Sequence, residues 1–491
     1  MKNNRAQQTF LGAICATLAL STFNFGQTVE AKPDQYAESK FYVPSLFNLL
    51  LTEPRFGVEV DNVLIPGSAV YNRTRELGAT VMRINWRVSW KVMQGAQNAP
   101  IDFSSLAPLE TMLRGLDELE IRPMLIVDDY PLWATTVPSS CAPIRPDRYA
   151  DFAEFLRQMV LRYKVPPYNV KMWELGNEPD VDWRLVSSTS NFGCWGNKND
   201  TQFYGGAVYG EMLKAVVPVI RSADPEAKIL IGGLLLDNNN TQVPAGEGKP
   251  ELFINGVLAS GAAGHFDYIP YHAYSYFSGA EIDYSNKGQN GKWVNNDPNK
   301  DGIARGKPIW LKDAMTRYGV SKPLILNEVA LVCVAQFFPQ VCESPGAAFY
   351  NAQANYVAPA ITRALAQGVE QIVWYTLDGP GWNNVGLLDG DGTPRPAYFA
   401  YKNLIAQLNG TNLPPRQVNY VANTEAYRFT RGPKLVDVVW STDSTPKNIR
   451  VPIAQFLSAV DRDGNVINPT TIGNEVQITV GLGGVYIVRT P

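Results

Sequence analysis

The sequence predicts an α/β fold: a (β/α)8 TIM barrel followed by a small, sandwich-like all-β domain. Three observations lead there. First, eight apolar, β-branched runs alternate with amphipathic stretches over residues 56–408. They are Phe56–Val60, Thr80–Trp86, Arg122–Asp128, Val170–Asn177, Lys228–Gly232, Phe266–His272, Pro323–Glu328 and Gln371–Leu377. Second, these runs are almost continuously apolar, as in parallel strands buried on both faces. Third, the pattern breaks at Gly410–Pro415 and gives way to short alternating strands. An open doubly wound sheet is the rival. The count of eight and the lack of a Gly-rich phosphate loop speak against it.

Between the runs, Arg148–Tyr163, Gly206–Ala223 and Asn351–Gln367 carry apolar residues at three- and four-residue spacing and predict helices. Beyond the break, strands are expected at Gln417–Val421, Glu425–Thr430, Leu435–Ser441, Asn448–Val451, Glu475–Val480 and Val485–Arg489, with a hairpin turn at Asp463-Gly464-Asn465. The expected organisation is a signal peptide over 1–31, a lead-in over 32–55, a catalytic barrel over 56–408, a linker over 409–416 and the β domain over 417–491.

The first segment reads as an export signal. Lys2 and Arg5 precede the apolar run Phe10–Phe23, and Val29-Glu30-Ala31 offers a cleavage pattern before Lys32. The mature chain is therefore expected outside the cytoplasm, secreted or periplasmic and free of the membrane. With Cys15 removed, Cys141, Cys194, Cys333 and Cys342 remain, an even number that suggests two disulfides. The preferred pairing is Cys333–Cys342, a short loop, with Cys141–Cys194. Zinc is the alternative, but the spacing is wrong and the chain holds only two histidines. A formal net charge of −3 and the absence of a basic stripe exclude nucleic acid as a partner. No feature sets the oligomeric state.

Barrel active sites lie at the C-terminal ends of the strands. The fourth and seventh runs deliver Glu178 and Glu328 there, each preceded by Asn. A lone strand-end glutamate is usually a surface ion pair. Two facing one cavity suit glycoside hydrolysis, in which one carboxyl protonates the leaving oxygen and the other attacks the sugar or activates water. Glu174 shares the face of Glu178 and, at about 3.3 Å per residue, is expected about 13 Å deeper as a buried structural carboxylate. Asp180 and Asp182 are expected on the loop beyond, solvated or forming a turn.

Trp173-Glu-Leu-Gly-Asn-Glu-Pro179 resembles the fourth-strand motif of glycoside hydrolase clan A, as in families 5 and 39. The resemblance implies a retaining β-glycosidase acting on an oligo- or polysaccharide without a cofactor, with Glu178 as acid/base and Glu328 as nucleophile. It implies that Asn177 bonds the sugar 2-hydroxyl, that His272 lines the cleft, that Tyr274 touches the nucleophile and that Arg83 lies beside it. Trp374 is similar to the tryptophan under the bound sugar. The residues alone leave alternatives: Arg83 paired with Glu59, His272 and Trp374 as barrel core. The third run ends Val127-Asp128-Asp129-Tyr130, where family 5 often has histidine, and Gly176 stands where family 39 usually has Trp. Pro131-Leu-Trp133-Ala134 and the β domain lean toward family 39.

Two long loops, 181–203 and 275–307, are expected to shape specificity. Trp133, Trp183 and Trp195 are candidate sugar platforms, with Tyr276, Trp293 and Trp382 behind them. Asp297, Asn299 and Asp301 match the opening of a calcium loop, but Pro308 occupies the position of the bidentate glutamate, so a plain turn is the expected reading and no catalytic metal is expected. The same architecture would serve a transglycosylase, and without catalysis a carbohydrate-binding protein.

Overall fold

The structure, a computed structural model, describes residues 55–190, 192–236, 252–286 and 303–491. Eight strands form one parallel sheet: β1 Phe56–Val60, β2 Val81–Ser89, β3 Arg122–Asp128, β4 Met172–Leu175, β5 Lys228–Ile231, β6 Ile269–Tyr276, β7 Leu324–Val332 and β8 Val369–Trp374. Their order is β5-β4-β3-β2-β1-β8-β7-β6. Parallel bridges Leu230–Tyr268 and Leu234–Tyr271 join β5 to the β6 side and close the ring. All eight strands lie on the runs expected from sequence.

Each strand is followed by a long helix: α1 Ala69–Leu77, α2 Ala107–Glu118, α3 Tyr149–Tyr163, α4 Gly206–Ala223, α5 Leu252–Ala259, α6 Ile303–Arg317, α7 Ala347–Ala366 and α8 Pro396–Leu408. Local chemistry sets their starts. Ser68 caps α1 by accepting from Tyr71 N–H at 3.1 Å, and α8 opens on Pro396, whose missing N–H costs nothing at a first helical position.

Inside the barrel, Val81, Met124, Met172, Leu230, Ile325 and Val373 form an apolar plug. Side chains repeat their direction every second residue along a strand. Two positions further toward the strand ends, the plug residues of β2, β4, β7 and β8 are therefore followed by Arg83, Glu174, Asn327 and Tyr375. The polar layer rests directly on the plug, so its groups are out of bulk water and must satisfy one another.

Two departures from the expected ends matter. β4 stops at Leu175, because Gly176 takes φ 95°. β6 and β7 run past His272 and Glu328 and pair as far as Tyr276–Val332. Glu328 is thus mid-strand. It reaches the interior because β7 bulges: Tyr271 pairs with Leu326 and His272 with Glu328, leaving Asn327 as the extra residue.

The C-terminal region holds β9 Arg416–Val418, β10 Thr424–Arg431, β11 Lys434–Ser441, β12 Lys447–Pro452, β13 Phe456–Val460, β14 Thr470–Ile472, β15 Glu475–Val480 and β16 Val485–Arg489. They form two antiparallel sheets, β13-β16-β11-β10-β9 and β12-β15-β14. β13 and β14 were not expected; they are short, and all three β14 residues are exposed, so no apolar alternation marks them. At Asp463-Gly464-Asn465 the chain turns, closed by Asp461 N–H to Asn465 O at 2.9 Å. Alternation divides the larger sheet. Ala426, Val439, Val485 and Ile487 face the smaller sheet, while Tyr427, Val436, Val438, Trp440 and Tyr486 join the barrel core.

A buried ion cluster pins this packing. Arg363 of α7 donates to Asp283 at 2.8 and 3.1 Å and to Glu425 of β10 at 2.5 and 3.1 Å. Trp440 of β11 donates to the same Asp283.

Candidate active site

Arg83, fully buried on β2, organises the polar layer. Its Nε and Nη2 donate to the two oxygens of Glu174 at 2.7 and 3.0 Å. Nη1 is shared between Glu59 and Glu328, 2.5 Å from each, and Nη2 also donates to Asn177 Oδ1 at 2.7 Å. Both readings of Arg83 left open by the sequence therefore hold together: it lies beside Glu328 and it pairs with Glu59. Burial works against its charge, but Glu174, Glu59 and Glu328 outweigh that and hold the guanidinium protonated. Glu59 is pushed well up, first by burial, with Arg83 only partly offsetting it.

Glu174 is the buried, bonded carboxylate that was expected, accepting also from Gly233 N–H at 2.8 Å and Asn327 Nδ2 at 3.0 Å. It does not lie remote from the site. The strand ends one residue after it, and a single guanidinium links it to Glu328.

Glu178, three residues past β4, adopts φ 47°, a strained left-handed conformation for a residue with a side chain. Its N–H donates to Gly233 O at 3.0 Å, which fixes the turn against the segment after β5. His272 stands between the two glutamates: Nδ1 is 2.9 Å from Glu178 Oε1 and 3.2 Å from Glu328 Oε2. One oxygen of each carboxylate and this nitrogen all lie within 4.8 Å of one another. Burial first of all lowers His272 to about 4, so the ring is neutral. Both acceptors face Nδ1 and Nε2 has no partner, which puts the proton on Nδ1. The backbone of His272 is held in turn by buried Lys307, whose Nζ donates to His272 O at 2.7 Å and Leu235 O at 2.6 Å. The Tyr274 hydroxyl donates to Glu328 Oε2.

The side chains of Glu178 and Glu328 are 12% and 8% exposed, enough to meet a ligand from the barrel mouth. Asn177 is tied through Oδ1 to Arg83, which leaves its amide N–H groups to donate. Asp180 and Asp182 are not solvated. Asp180 accepts from Leu235 and Leu236 N–H, and burial pushes it up to about 7. Asp182 accepts from the N–H groups of Arg184 and Lys198.

The aromatic expectations fare differently. Trp374 is fully buried, with its ring against Tyr356 and Tyr401 and its N–H on Val385 O. It faces the helices because its neighbour Val373 faces the plug, so it is no platform at this site. Trp195 is buried too, packed edge-on against Tyr130 and Tyr209. Trp133 is half-buried against Trp90, and Trp183 is half-buried beneath Arg184. An exposed ring beside Tyr274, the partner of Glu328, is Trp382, 50% exposed and 5.4 Å from the Tyr274 ring. Sequence reasoning passed over Tyr375, Asn327 and Asp61, although counting in twos from the plug reaches the first two. Both expected disulfides form, Cys141–Cys194 and Cys333–Cys342. Asp297, Asn299, Asp301 and Trp293 lie outside the described residues.

Glu178, His272 and Glu328 could each offer a ligand atom to a cation. Both oxygens of Glu328 are already engaged, one by a guanidinium, and a second positive centre there would be repelled.

This constellation can be compared with known proteins. The family described as Cellulase (glycosyl hydrolase family 5) matches residues 57–316, more than half the chain. The chain belongs to glycoside hydrolase family 5. It is a retaining glycosidase of clan A, and its substrate is a carbohydrate. No curated protein matches the sequence. A family 39 glycoside hydrolase from Bacteroides cellulosilyticus WH2 shares its fold with a TM-score of 0.65 at 16% identity, over 89% of this chain and 81% of that one. A GH30 endoxylanase from Clostridium papyrosolvens C71 gives 0.56 at 12% identity, over 89% and 96%. The GH39 enzyme from Xanthomonas axonopodis pv. citri gives 0.52 at 18% identity, over 89% and 94%. The family 39 likeness expected from the sequence is thus present at the level of the fold.

Proposed function

We propose that this family 5 chain is an exported β-glycosidase acting by double displacement, with Glu178 as acid/base and Glu328 as nucleophile. The observation that carries the assignment is the closeness of their oxygens, within 4.8 Å and bridged by one imidazole. Retaining enzymes place the two carboxyl groups about 5–5.5 Å apart, whereas inverting ones need about 6.5–9.5 Å to admit a water.

In the first step Glu328 attacks the anomeric carbon while Glu178 gives its proton to the leaving oxygen. In the second, Glu178 takes a proton from water, and that water displaces Glu328. Arg83 and Tyr274 suit the nucleophile, since both donate to Glu328 and hold its carboxylate in a fixed orientation. The free amide N–H of Asn177 suits a contact with the sugar 2-hydroxyl. Export is supported by the signal pattern of residues 1–31 and by the two disulfides.

A slow 2-deoxy-2-fluoro aryl β-glycoside should stall the covalent intermediate, adding its glycosyl mass to the peptide that contains Glu328. Glu178→Gln should lower turnover about 10²–10⁴-fold. A label on any other residue, or inversion at the anomeric carbon, overturns the assignment.

A further inference from the structure

The ends of β1, β2 and β3 carry a polar wall that this mechanism does not use. β2 and β3 pair at Ile84–Leu125 and next at Val88–Val127, so Asn85, Trp86 and Arg87 stand opposite a single residue. Such a bulge turns side chains out of the ladder and is common beside active sites. From it a chain of contacts runs back to the nucleophile. Arg87 Nη2 donates to Asn85 Oδ1 at 2.8 Å, and Asn85 Nδ2 donates to Asp61 Oδ1 at 2.7 Å. Asp61 accepts from the Tyr375 hydroxyl at 3.2 Å. The Tyr375 ring stands edge-on to Tyr274, which bonds Glu328. At the other end Arg87 Nη1 lies 3.4 Å from Asp128 Oδ2.

This wall has unspent bonding capacity. Arg87 Nε and Nη1 and Asp128 Oδ1 are shielded from water yet have no hydrogen-bond partner, although the side chains are only 10% and 7% exposed. Buried polar groups are rarely left so, because each forfeits its hydration without return. A sugar hydroxyl both donates and accepts. Two adjacent hydroxyls therefore match a donor-only guanidinium beside an acceptor-only carboxylate.

We propose that Arg87 and Asp128 grip neighbouring hydroxyls of the sugar that becomes attached to Glu328, and that this wall selects a neutral sugar over a uronic acid. The proposal rests on Glu328 being the nucleophile: the wall continues from Tyr274 on that side, while the leaving group belongs to Glu178. The charge selection follows from the count. Asp61, Asp128 and Asp129 line the wall against one guanidinium, with Lys91 reaching only the outer Asp129 at 3.9 Å. A substrate carboxylate would meet like charge.

The test uses the full chain and paired aryl β-glycosides, neutral sugars and their uronides. The neutral member should be turned over faster. On it, Arg87→Ala and Asp128→Asn should each lower kcat/KM about ten- to a hundred-fold in protein shown to be folded by its thermal melt. On the deoxy sugar lacking the gripped hydroxyl, the variants and the unmodified enzyme should be equal, which a merely structural role would not produce. Arg87→Lys should restore part of the loss. Faster turnover of a uronide, no loss in either variant, or the same loss on every deoxy analogue overturns the proposal. Glu328→Gln is run beside them. If it keeps turnover, the reading of the site itself has failed; if it is inactive, a failure belongs to the wall alone.

Discussion

Replacing Arg83 with methionine tests the electrostatic logic of the site. The substitution keeps much of the volume and removes one charge from between Glu174 and Glu328, which the guanidinium holds at 2.7 and 2.5 Å. Burial pushes Glu59 well up, so the loss of the cation is felt chiefly by Glu174 and Glu328. Glu328 then loses a cation whose charge centre lies about 5 Å from its own, and at an effective dielectric of about 20 that lost attraction is about 3 kcal/mol. At 1.36 kcal/mol per unit that is about two pH units. The acidic limb of kcat/KM should therefore move up by about two units in Arg83→Met, with a smaller shift in Arg83→Lys, whose point charge cannot hold four partners at once. Folding stability should fall by about 3–5 kcal/mol, the cost of stranding a buried charge. The assay is a pH–rate profile on an aryl β-glycoside, beside urea denaturation to show that the variant is folded. An acidic limb that stays in place in a folded variant would refute the charge-balancing role of Arg83.

Three further outcomes follow from the same contacts. His272 is lowered to about 4, so between that pH and about 6.5 the unfolded chain binds a proton that the folded chain does not. Stability from this residue is complete above about 6.5 and falls by about 3 kcal/mol as pH drops to 4, measurable by urea denaturation across that range and absent in His272→Gln. Arg363→Met should cost about 3–5 kcal/mol, because Asp283 and Glu425 lose their cation in a buried interface; a loss under 1 kcal/mol would mean that the sheet does not depend on the pin. Trp374→Ala should destabilise by about 3–5 kcal/mol as a core truncation. Trp382→Ala should change stability by no more than about 0.5 kcal/mol and instead raise KM; the reverse pattern would return the platform role to Trp374.

The contrast between Trp374 and Glu328 shows what a strand sequence can and cannot disclose. On β8, Glu370 is exposed, and a charged residue on the outer face fixes the parity: positions 370, 372 and 374 look outward, 371, 373 and 375 inward. That single charge was enough to send Trp374 to the helices and Tyr375 to the cavity. β7 offers no such marker. Every residue of it is buried, so apolarity reveals the strand but neither face. Strands such as β7 are found from sequence for the same reason that their facing is not: burial on both sides gives a continuous apolar run and erases alternation.

The bulge at Asn327 is the harder case, because parity itself changes there. A regular β7 with Ile325 in the plug would aim Asn327 inward and Glu328 at the helices. With the extra residue, Asn327 still reaches Glu174 while Glu328 also turns into the cavity, where Arg83, Tyr274 and His272 receive it. One inserted residue thus lets adjacent positions serve the same interior. The arrangement holds because every group below it is committed: Glu174 takes Arg83, Gly233 and Asn327 at once. A side chain at Gly233 would strike His272 Nε2 at 2.2 Å and Asn327 at 2.8 Å. The carboxylate pair is therefore set by a backbone irregularity wedged between packed neighbours, a feature carried by no motif, and Gly233→Ala should disturb Glu178, His272 and Asn327 together even though residue 233 bears no chemistry of its own.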